Sequence, residues 1–486
     1  MSAPFRVPLL LRGEVIEQDW IEHGGRRGGA QFTAPDLAAH LPRLPLANPS
    51  SLGELYSLTL DEIIAFLEQL GDRLVLADNA YLQEAFELSR LTSGLSDPIL
   101  RYHYEMIPSY FSARSVRDIA ERTIGIDYLE GWVRQPDADR NAPPVSIRAV
   151  GARGVHIIAG NVPVVGVTTV IRNAITRSDA IIKTPSNDPL TTAALVRTMI
   201  DMAPDHPLTS HVSVAYWKGG DERIEPALYD PRRIEKIVAW GGFAGIKHLT
   251  QYLQPGLDLI TLDPKHSGSL IGKEAFADEA TLQHVAQRLA VDIGAMNQEG
   301  CVNARVIHVE SGTDAEGIKR AEQLGELTFA ALQTLPQHLS TPHKAFDREL
   351  KDEIDALAFV DDEYTVYGGR SNEGAIIVSR SANPVDFARQ LACRVANIVP
   401  VDDVSEAVRS VNSYTQTIGI YPENLKTRLR DQLAWHGAQR LASLGGAATL
   451  NQAPGPQDGI EPLRRMVKWI VDESGDEAAL AAQALG

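Results

Sequence analysis

Apolar residues change their spacing several times along this chain. Up to about residue 55 the sequence is dense in Pro, Gly and Arg, with weak periodicity, which predicts a loosely structured lead-in. Helical spacing then begins. Ile63, Phe66, Leu67 and Leu70 share one face, Thr59 with Glu62 reads as a capping box, and Gly71 reads as a helix stop. Helical patterning continues to about Ile124. From Asp127 to Arg153, the pieces Gly131-Trp132, Gln135-Pro136-Asp137-Ala138-Asp139 and Pro143-Pro144 flank short β-prone runs. That composition predicts an extended arm or hairpin.

From Gly154 onward short apolar runs alternate with helical ones. Strands are predicted over Val155–Ala159, Ala180–Lys183, Val212–Trp217, Ile237–Trp240 and Leu259–Leu262. Helices are predicted over Val164–Ile175, Leu190–Met202 and Phe243–Leu253. This alternation predicts a parallel, doubly wound α/β sheet with ligands at the carboxyl ends of its strands. A helix capped by Asp278 or Thr281 follows, with Leu282, Val285, Leu289 and Ile293 on its apolar face. Asn297-Gln298-Glu299-Gly300-Cys301 leads into a strand over Ala304–Val309, and residues 314–445 read as a second α/β unit. Pro454–Asp458 reads as a loop, residues 461–473 as a helix, and the Ala-rich end as frayed.

Composition narrows the function classes. Among 486 residues, 44% are hydrophobic and 22% charged, as in an ordinary soluble protein of two or three domains. A net charge of −17 argues against a nucleic-acid partner. No apolar run is long enough to span a bilayer, and the start of the chain is too short and Pro-broken for a signal peptide. Two cysteines make no disulfide framework, so a reducing, cytoplasmic location is expected.

Few residues invite chemistry. Cys301 follows a glycine at a helix-to-strand junction, where backbone N–H groups stabilise a thiolate and an oxyanion; the plain alternative is a small buried hydrophobe. Asn161 ends the first strand of the α/β region and is either an oxyanion donor or a turn asparagine. Lys183 ends the next strand and faces either a ribose or phosphate, or solvent. Gly241-Gly242 admits phosphate close to the backbone or simply makes a tight turn. Cys393, His156 and His308 read as core or strand residues. There is no Gly-x-Gly-x-x-Gly, P-loop, Gly-x-Ser-x-Gly, Cys-x-x-Cys or His-Glu-x-x-His, so a metal site is not expected.

In order and spacing these pieces resemble the aldehyde dehydrogenase superfamily over about residues 125–445. Asn297-Gln298-Glu299-Gly300-Cys301 resembles its Asn-Gln-x-x-Cys nucleophile loop, and Ile158-Ala159-Gly160-Asn161-Val162-Pro163 its strand-end Asn-x-Pro. Ile182-Lys183-Thr184-Pro185-Ser186 resembles its Lys-Pro-Ser segment. Trp240-Gly241-Gly242 sits where the superfamily carries Gly-Ser, and Tyr128–Trp132 resembles the lead-in to its oligomerisation arm. Cys301–Ile307 and Gln457-Asp458-Gly459-Ile460 are most similar to the long-chain acyl-CoA reductases of the LuxC type, with Gln457 standing where His is usual.

The resemblance implies an aldehyde dehydrogenase-like fold of two doubly wound parallel-sheet domains. Residues 1–262 would hold a helical N-terminal region, the dinucleotide-binding domain and an arm at about 128–150. Residues 263–445 would form the catalytic domain and 446–486 a C-terminal segment. It further implies Cys301 as nucleophile, Asn161 as oxyanion donor, and Lys183, Ser186, Gly241 and Gly242 as cofactor-binding residues. The substrate would be an acyl-CoA or other acyl carrier, with coenzyme A as leaving group. The assembly would be a homodimer or homotetramer, with a partner enzyme that transfers the acyl group. Two departures carry information. Where aldehyde oxidisers place a glutamate base, Asp263 is the nearest carboxylate, and acyl transfer needs no activated water. Ser186 replaces an acid that contacts the adenosine ribose, which favours NADPH over NADH. The competing expectations are an aldehyde dehydrogenase making acids with Asp263 as base, and a non-catalytic acyl-binding subunit.

Overall fold

The computed structural model describes residues 5–24, 30–136, 144–447 and 455–473. The chain forms two units, one from Met1–Leu91, Tyr104–Leu262 and Gln452–Gly486, the other from Thr92–His103 and Asp263–Asn451.

In the first unit, the apolar runs after Gly154 become five parallel strands. Their spatial order is Asp258–Leu262, Lys236–Trp240, Arg153–Ile157, Asp179–Lys183 and Val212–Ala215. Val155, Ile181 and Ile237 are buried in one cluster, each side chain contributing about 1.5–3 kcal/mol by leaving water. The chain builds outward from Arg153–Ile157 on one side, then crosses to place Lys236–Trp240 on the other. Parallel sheets bind ligands at such a reversal, at the carboxyl ends of these two strands.

The N-terminal residues are not the loose lead-in their composition suggests. Leu9–Leu11 pairs antiparallel with Val212–Ala215, and Glu14–Ile16 extends the sheet to seven strands. Phe5–Arg6, Phe32–Pro35 and Trp20–His23 form a separate three-stranded sheet. These strands are two to four residues long, too short for a two-residue period to emerge between prolines and glycines. Burial of Leu9, Leu10, Leu11, Phe32 and Leu44 holds them. Arg12, in the left-handed region at φ 50°, donates to both carboxylate oxygens of Asp179 at 2.5 and 2.9 Å.

The capping box forms as expected, with Thr59 accepting from the Glu62 N–H and Glu62 from the Thr59 N–H. Gly71 does not stop the helix, which runs over Leu60–Arg73. A Cβ at Gly71 would lie 2.7 Å from the Phe111 Cβ, so this glycine serves close packing. Helices continue through Ala113–Thr123 to the short helix Ile126–Glu130, so the first residues of the stretch expected as an arm are helical.

Within the expected arm, Val133–Arg134 and Val145–Val150 pair antiparallel, while Asp137, Ala138, Asp139 and Pro143 lie outside the described residues. The helix expected over 461–473 is only Pro462–Met466; Lys468–Glu473 is a strand paired with Val145–Val150. Trp469, Ile470 and Val471 are β-prone, and the sheet overrides the helical spacing. Pro454 and the Ala-rich end also lie outside the described residues.

The second unit has a seven-stranded sheet in the order Tyr364–Gly368, Ala375–Ser379, Val395–Pro400, Ala304–Val309, His266–Ile271, Thr415–Tyr421 and Arg440–Ser443. Every pairing is parallel except that of the edge strand Tyr364–Gly368. The helix Glu279–Gly294, capped by Asp278 accepting from the Thr281 N–H at 2.7 Å, lays Leu282, Val285, Leu289 and Ile293 on Ile307, Ile376 and Ile398.

Candidate active site

Cys301 lies three residues ahead of the strand Ala304–Val309, at the amino end of the sheet. The loop that carries it is tightly specified. Met296, Asn297 and Gln298 are consecutive left-handed residues, with φ of 54°, 50° and 66°. Each such residue costs on the order of 1 kcal/mol and persists only where its surroundings over-determine it. Buried amides do that here. Asn297 accepts from the Thr341 N–H at 2.8 Å. Gln298 donates to the carbonyls of Ala304 and Val395 at 2.8 and 2.9 Å, and accepts from the Val395 N–H at 2.9 Å. Asn303 accepts from the Gly300 N–H at 3.0 Å and donates to the Ala295 carbonyl at 2.9 Å.

The sulfur itself is half-buried. The side-chain amide of Gln416 donates to it at 3.1 Å, and the Ser267 hydroxyl donates to the Cys301 carbonyl at 2.7 Å. Two guanidinium groups stand near. Arg305 donates to the carbonyls of Leu391 and Asn303, each at 2.9 Å, and Arg440 donates to Ala447 and Gly446. Burial lowers the pKa of both arginines. A charged Cys301 would work against burial in each case, after Asp292 for Arg440. The same attraction, seen from the sulfur, favours thiolate.

Cys393 is buried and left-handed at φ 57°. His343 lies beside it, and its Nε2 pairs with Glu299 at 3.0 Å. Burial alone would lower the His343 pKa; hydrogen bonds to Cys393 and Glu299 outweigh it and raise the value to about 9. His156 and His308 are pushed down by burial to about 3 and 4, hence neutral strand residues. Asp263 is partly exposed, 3.8 Å from the Lys265 ammonium.

In the first unit, Lys183 and Ser186 line one cavity of about 510 Å³, shared with Trp217, Lys218, His23 and Glu22. The Lys183 ammonium lies 5.4 Å from the Trp217 ring centroid, and burial lowers its pKa to about 8 against the opposing pull of Glu225. Glu225, itself buried, accepts from the Trp217 indole at 3.3 Å and the Tyr252 hydroxyl at 3.2 Å. Among the described residues, the Nε2 of His23 is buried with no hydrogen-bond partner. The cavity thus gathers two ammonium groups and the Ser186 hydroxyl, with the carboxylate of Glu22 on its wall and that of Glu225 acting on Lys183.

Asn161 follows the strand Arg153–Ile157, and Gly241-Gly242 follows Lys236–Trp240, so both lie at the carboxyl ends of the two strands at the reversal. The Asn161 loop is tied down by Asn187, which donates to the Gly160 carbonyl at 2.8 Å. A Cβ at Gly160 would come within 2.4 Å of the Asn187 Oδ1, so the close approach demands glycine. At Gly241 and Gly242 a Cβ would meet nothing within 4 Å, so this chain's own packing does not require glycine there. Gln457 accepts from Arg172 at 3.0 Å, which accommodates glutamine where His is usual.

Sequence reasoning missed Gln416, Ser267, Arg305 and Arg440 around the sulfur. Only Arg305 lay within a segment already singled out. It read Trp217 only as the end of the predicted strand Val212–Trp217 and missed Lys218 next to it.

The fold is similar to solved aldehyde dehydrogenases. One is an NADP-dependent glyceraldehyde-3-phosphate dehydrogenase from Bacillus halodurans complexed with NADP, with a TM-score of 0.71 and 14% identity over 96% of this chain and 99% of that one. Another is an NAD-dependent benzaldehyde dehydrogenase from Corynebacterium glutamicum, with a TM-score of 0.70 and 12% identity over 96% and 98%. At such identities the likeness is one of fold, and the architecture is aldehyde dehydrogenase-like. In sequence, the long-chain acyl-protein thioester reductase of Aliivibrio fischeri is 29% identical over 434 residues, 86% of this chain and 83% of that protein. The long-chain acyl-protein thioester reductase 2 of Photobacterium leiognathi is 26% identical over 481 residues, 96% and 93% of the two chains. Residues 55–469 match the acyl-CoA reductase (LuxC) family, and the chain belongs to that family.

Proposed function

We propose that this chain reduces a long-chain acyl thioester to the aldehyde, using NADPH and a covalent acyl-cysteine at Cys301. The observation that carries this reading is the setting of the sulfur: half-buried, hydrogen-bonded by Gln416, attracted by Arg305 and Arg440, on a loop fixed by three buried amides.

In the proposed reaction the Cys301 thiolate attacks the thioester carbonyl. A carbon–sulfur bond forms and the carbonyl electron pair moves to oxygen. The Cys301 backbone N–H donates to that oxyanion, and the family resemblance assigns the Asn161 amide the same task. Its collapse expels the carrier thiolate and leaves the acyl group on Cys301. The nicotinamide, when bound, supplies a hydride to the acyl carbon. Carbon–sulfur cleavage then releases the aldehyde and restores the thiolate. Lys183, Ser186 and the backbone at Gly241-Gly242 would hold the dinucleotide. Ser186 in place of an acid, with Lys183 and Lys218 in the same cavity beside Glu22, would suit a 2′-phosphate. Asp263, held near Lys265, has no role, because acyl transfer activates no water.

Coenzyme A and an acyl-protein present the same thioester. We take coenzyme A as the leaving group, with a partner protein's acyl thioester as the alternative carrier. We read the sheet of Val133–Arg134, Val145–Val150 and Lys468–Glu473, which exposes Trp132, Ile470 and Val471, as the arm of a homodimer or homotetramer.

The test is NADPH oxidation with aldehyde detection across acyl-CoA chain lengths, repeated with an acylated protein as donor. Aldehyde formation that vanishes in Cys301→Ala is the expected result. Acid formed from aldehyde without coenzyme A would replace this reading with aldehyde oxidation.

A further inference from the structure

Cysteine nucleophiles are commonly activated by an imidazole base. Here a buried carboxamide donates to the sulfur of Cys301, from Gln416 at 3.1 Å. Gln416 is 5% exposed and is the second residue of Thr415–Tyr421, a strand hydrogen-bonded on both sides, to His266–Ile271 and to Arg440–Ser443. The same strand start is tied to the nucleophile loop again, because Ser267 accepts from the Thr417 N–H at 3.0 Å while donating to the Cys301 carbonyl. The sheet therefore fixes the backbone from which the carboxamide reaches the sulfur. Nε2 is a donor only, and a thiolate is a far better acceptor than a thiol or a thioester sulfur. A donor fixed in this way discriminates between charged and neutral sulfur.

We propose that Gln416 is a catalytic residue that holds Cys301 as thiolate, both for attack and for release of the aldehyde. In the release step the hydride has left an alkoxide on the former carbonyl carbon. The C=O bond re-forms, the carbon–sulfur bond breaks, and its electron pair stays on sulfur under the Gln416 N–H. No proton has to be supplied. The catalytic part of this proposal rests on the acyl-cysteine reading above; the thiolate part does not.

Other charges bear on the sulfur from several elements. Arg305, on Ala304–Val309, and Arg440, on Arg440–Ser443, favour the thiolate. Asp292, on Glu279–Gly294, offsets Arg440. Glu299, on the Cys301 loop, faces Arg305 and is paired with His343. His266, on the neighbouring strand, is held towards its neutral form by burial and by Arg305 and Arg389. The amide does not titrate, so its contribution is constant with pH.

The experiment measures the alkylation rate of Cys301 by iodoacetamide from pH 5 to 10. Peptide mass spectrometry separates Cys301 from Cys393, and the wild type is compared with Gln416→Leu and Gln416→Glu. Loss of a hydrogen bond to the charged sulfur is expected to raise the thiol pKa by about one unit in Gln416→Leu. Gln416→Glu keeps the shape but brings a carboxylate to the sulfur, and is expected to raise it further. Burst acylation by acyl-CoA at pH 7 is expected to fall about tenfold in Gln416→Leu and to recover at high pH. A shift below about 0.3 unit in Gln416→Leu, or a lowered pKa in Gln416→Glu, overturns the proposal. If Gln416→Leu does not fold, the near-isosteric Gln416→Glu decides alone. Expected thiolate shifts without any acyl-cysteine on the wild type would sink the proposed function while leaving Gln416 as the thiolate's partner.

Discussion

In the proposed reaction the two seven-stranded sheets carry their chemistry at opposite ends of their strands. In the first unit, Asn161, Lys183 and Gly241 follow or finish Arg153–Ile157, Asp179–Lys183 and Lys236–Trp240, at the carboxyl ends. In the second, Cys301, Ser267 and Gln416 precede or open Ala304–Val309, His266–Ile271 and Thr415–Tyr421, at the amino ends. The carboxyl-end rule describes crevices where a parallel sheet reverses its order, and such crevices take dinucleotides. A thiolate has other needs. Side-chain amides and guanidinium groups at strand starts can meet them without a crevice. One fold class thus supports two kinds of site, and the strand end by itself does not say which.

If this division is sound, damage at the amino ends should appear in acylation and damage at the carboxyl ends in cofactor handling. The largest effect is expected from Cys301→Ala, whose aldehyde formation should drop to the detection limit while affinity for 2′,5′-ADP, measured by calorimetry, stays unchanged. Asn161→Ala removes one proposed oxyanion donor, so turnover should fall about 100- to 1000-fold with little change in cofactor KM. Lys183→Met should raise the KM for NADPH about tenfold, the loss expected for one charge-assisted phosphate contact, while single-turnover acylation stays normal. The Lys183 pKa of about 8 gives the wild type a pH signature as well. As pH rises through that value the ammonium is lost, so NADPH affinity should weaken above pH 8, and the Lys183→Met enzyme should lack that inflection.

A stability test concerns the scaffold beneath the cofactor strands. Burial would raise the Asp179 pKa, but hydrogen bonds from Arg12 and His211 outweigh it and leave it lowered. Its stabilising contribution is therefore present above the unfolded pKa near 4 and lost as pH falls through the lower folded value. Asp179→Asn strands the Arg12 guanidinium and should cost about 3–5 kcal/mol in urea unfolding. A loss below about 1 kcal/mol would mean that the N-terminal strands are held by their leucines alone.

The same contrast explains what could be read from the sequence. The parallel strands of the first unit were legible because each is a short apolar run ended by a turn residue, and Lys183 and Ser186 sit in those turns. Cys301 was legible through its own loop, where five consecutive residues carry the pattern. Its neighbours were not. Gln416 and Arg440 stand 115 and 139 positions further along, and sheet register alone brings them near the sulfur. A lone glutamine inside an apolar strand sends no signal of its own. The N-terminal strands were missed because two to four residues cannot display a period. The helix expected past Pro462 gave way to a strand because Trp469-Ile470-Val471 found an open edge on Val145–Val150.

The central claim is that the Cys301 sulfur accepts the acyl group. The most direct measurement mixes the protein with radiolabelled long-chain acyl-CoA in the absence of reductant, maps the label by peptide, and then adds NADPH. The expected result is one acyl group per chain on the Cys301 peptide, chased into aldehyde by NADPH and absent in Cys301→Ala. Label on the Cys393 peptide, or aldehyde formed with no label on any cysteine, would contradict it.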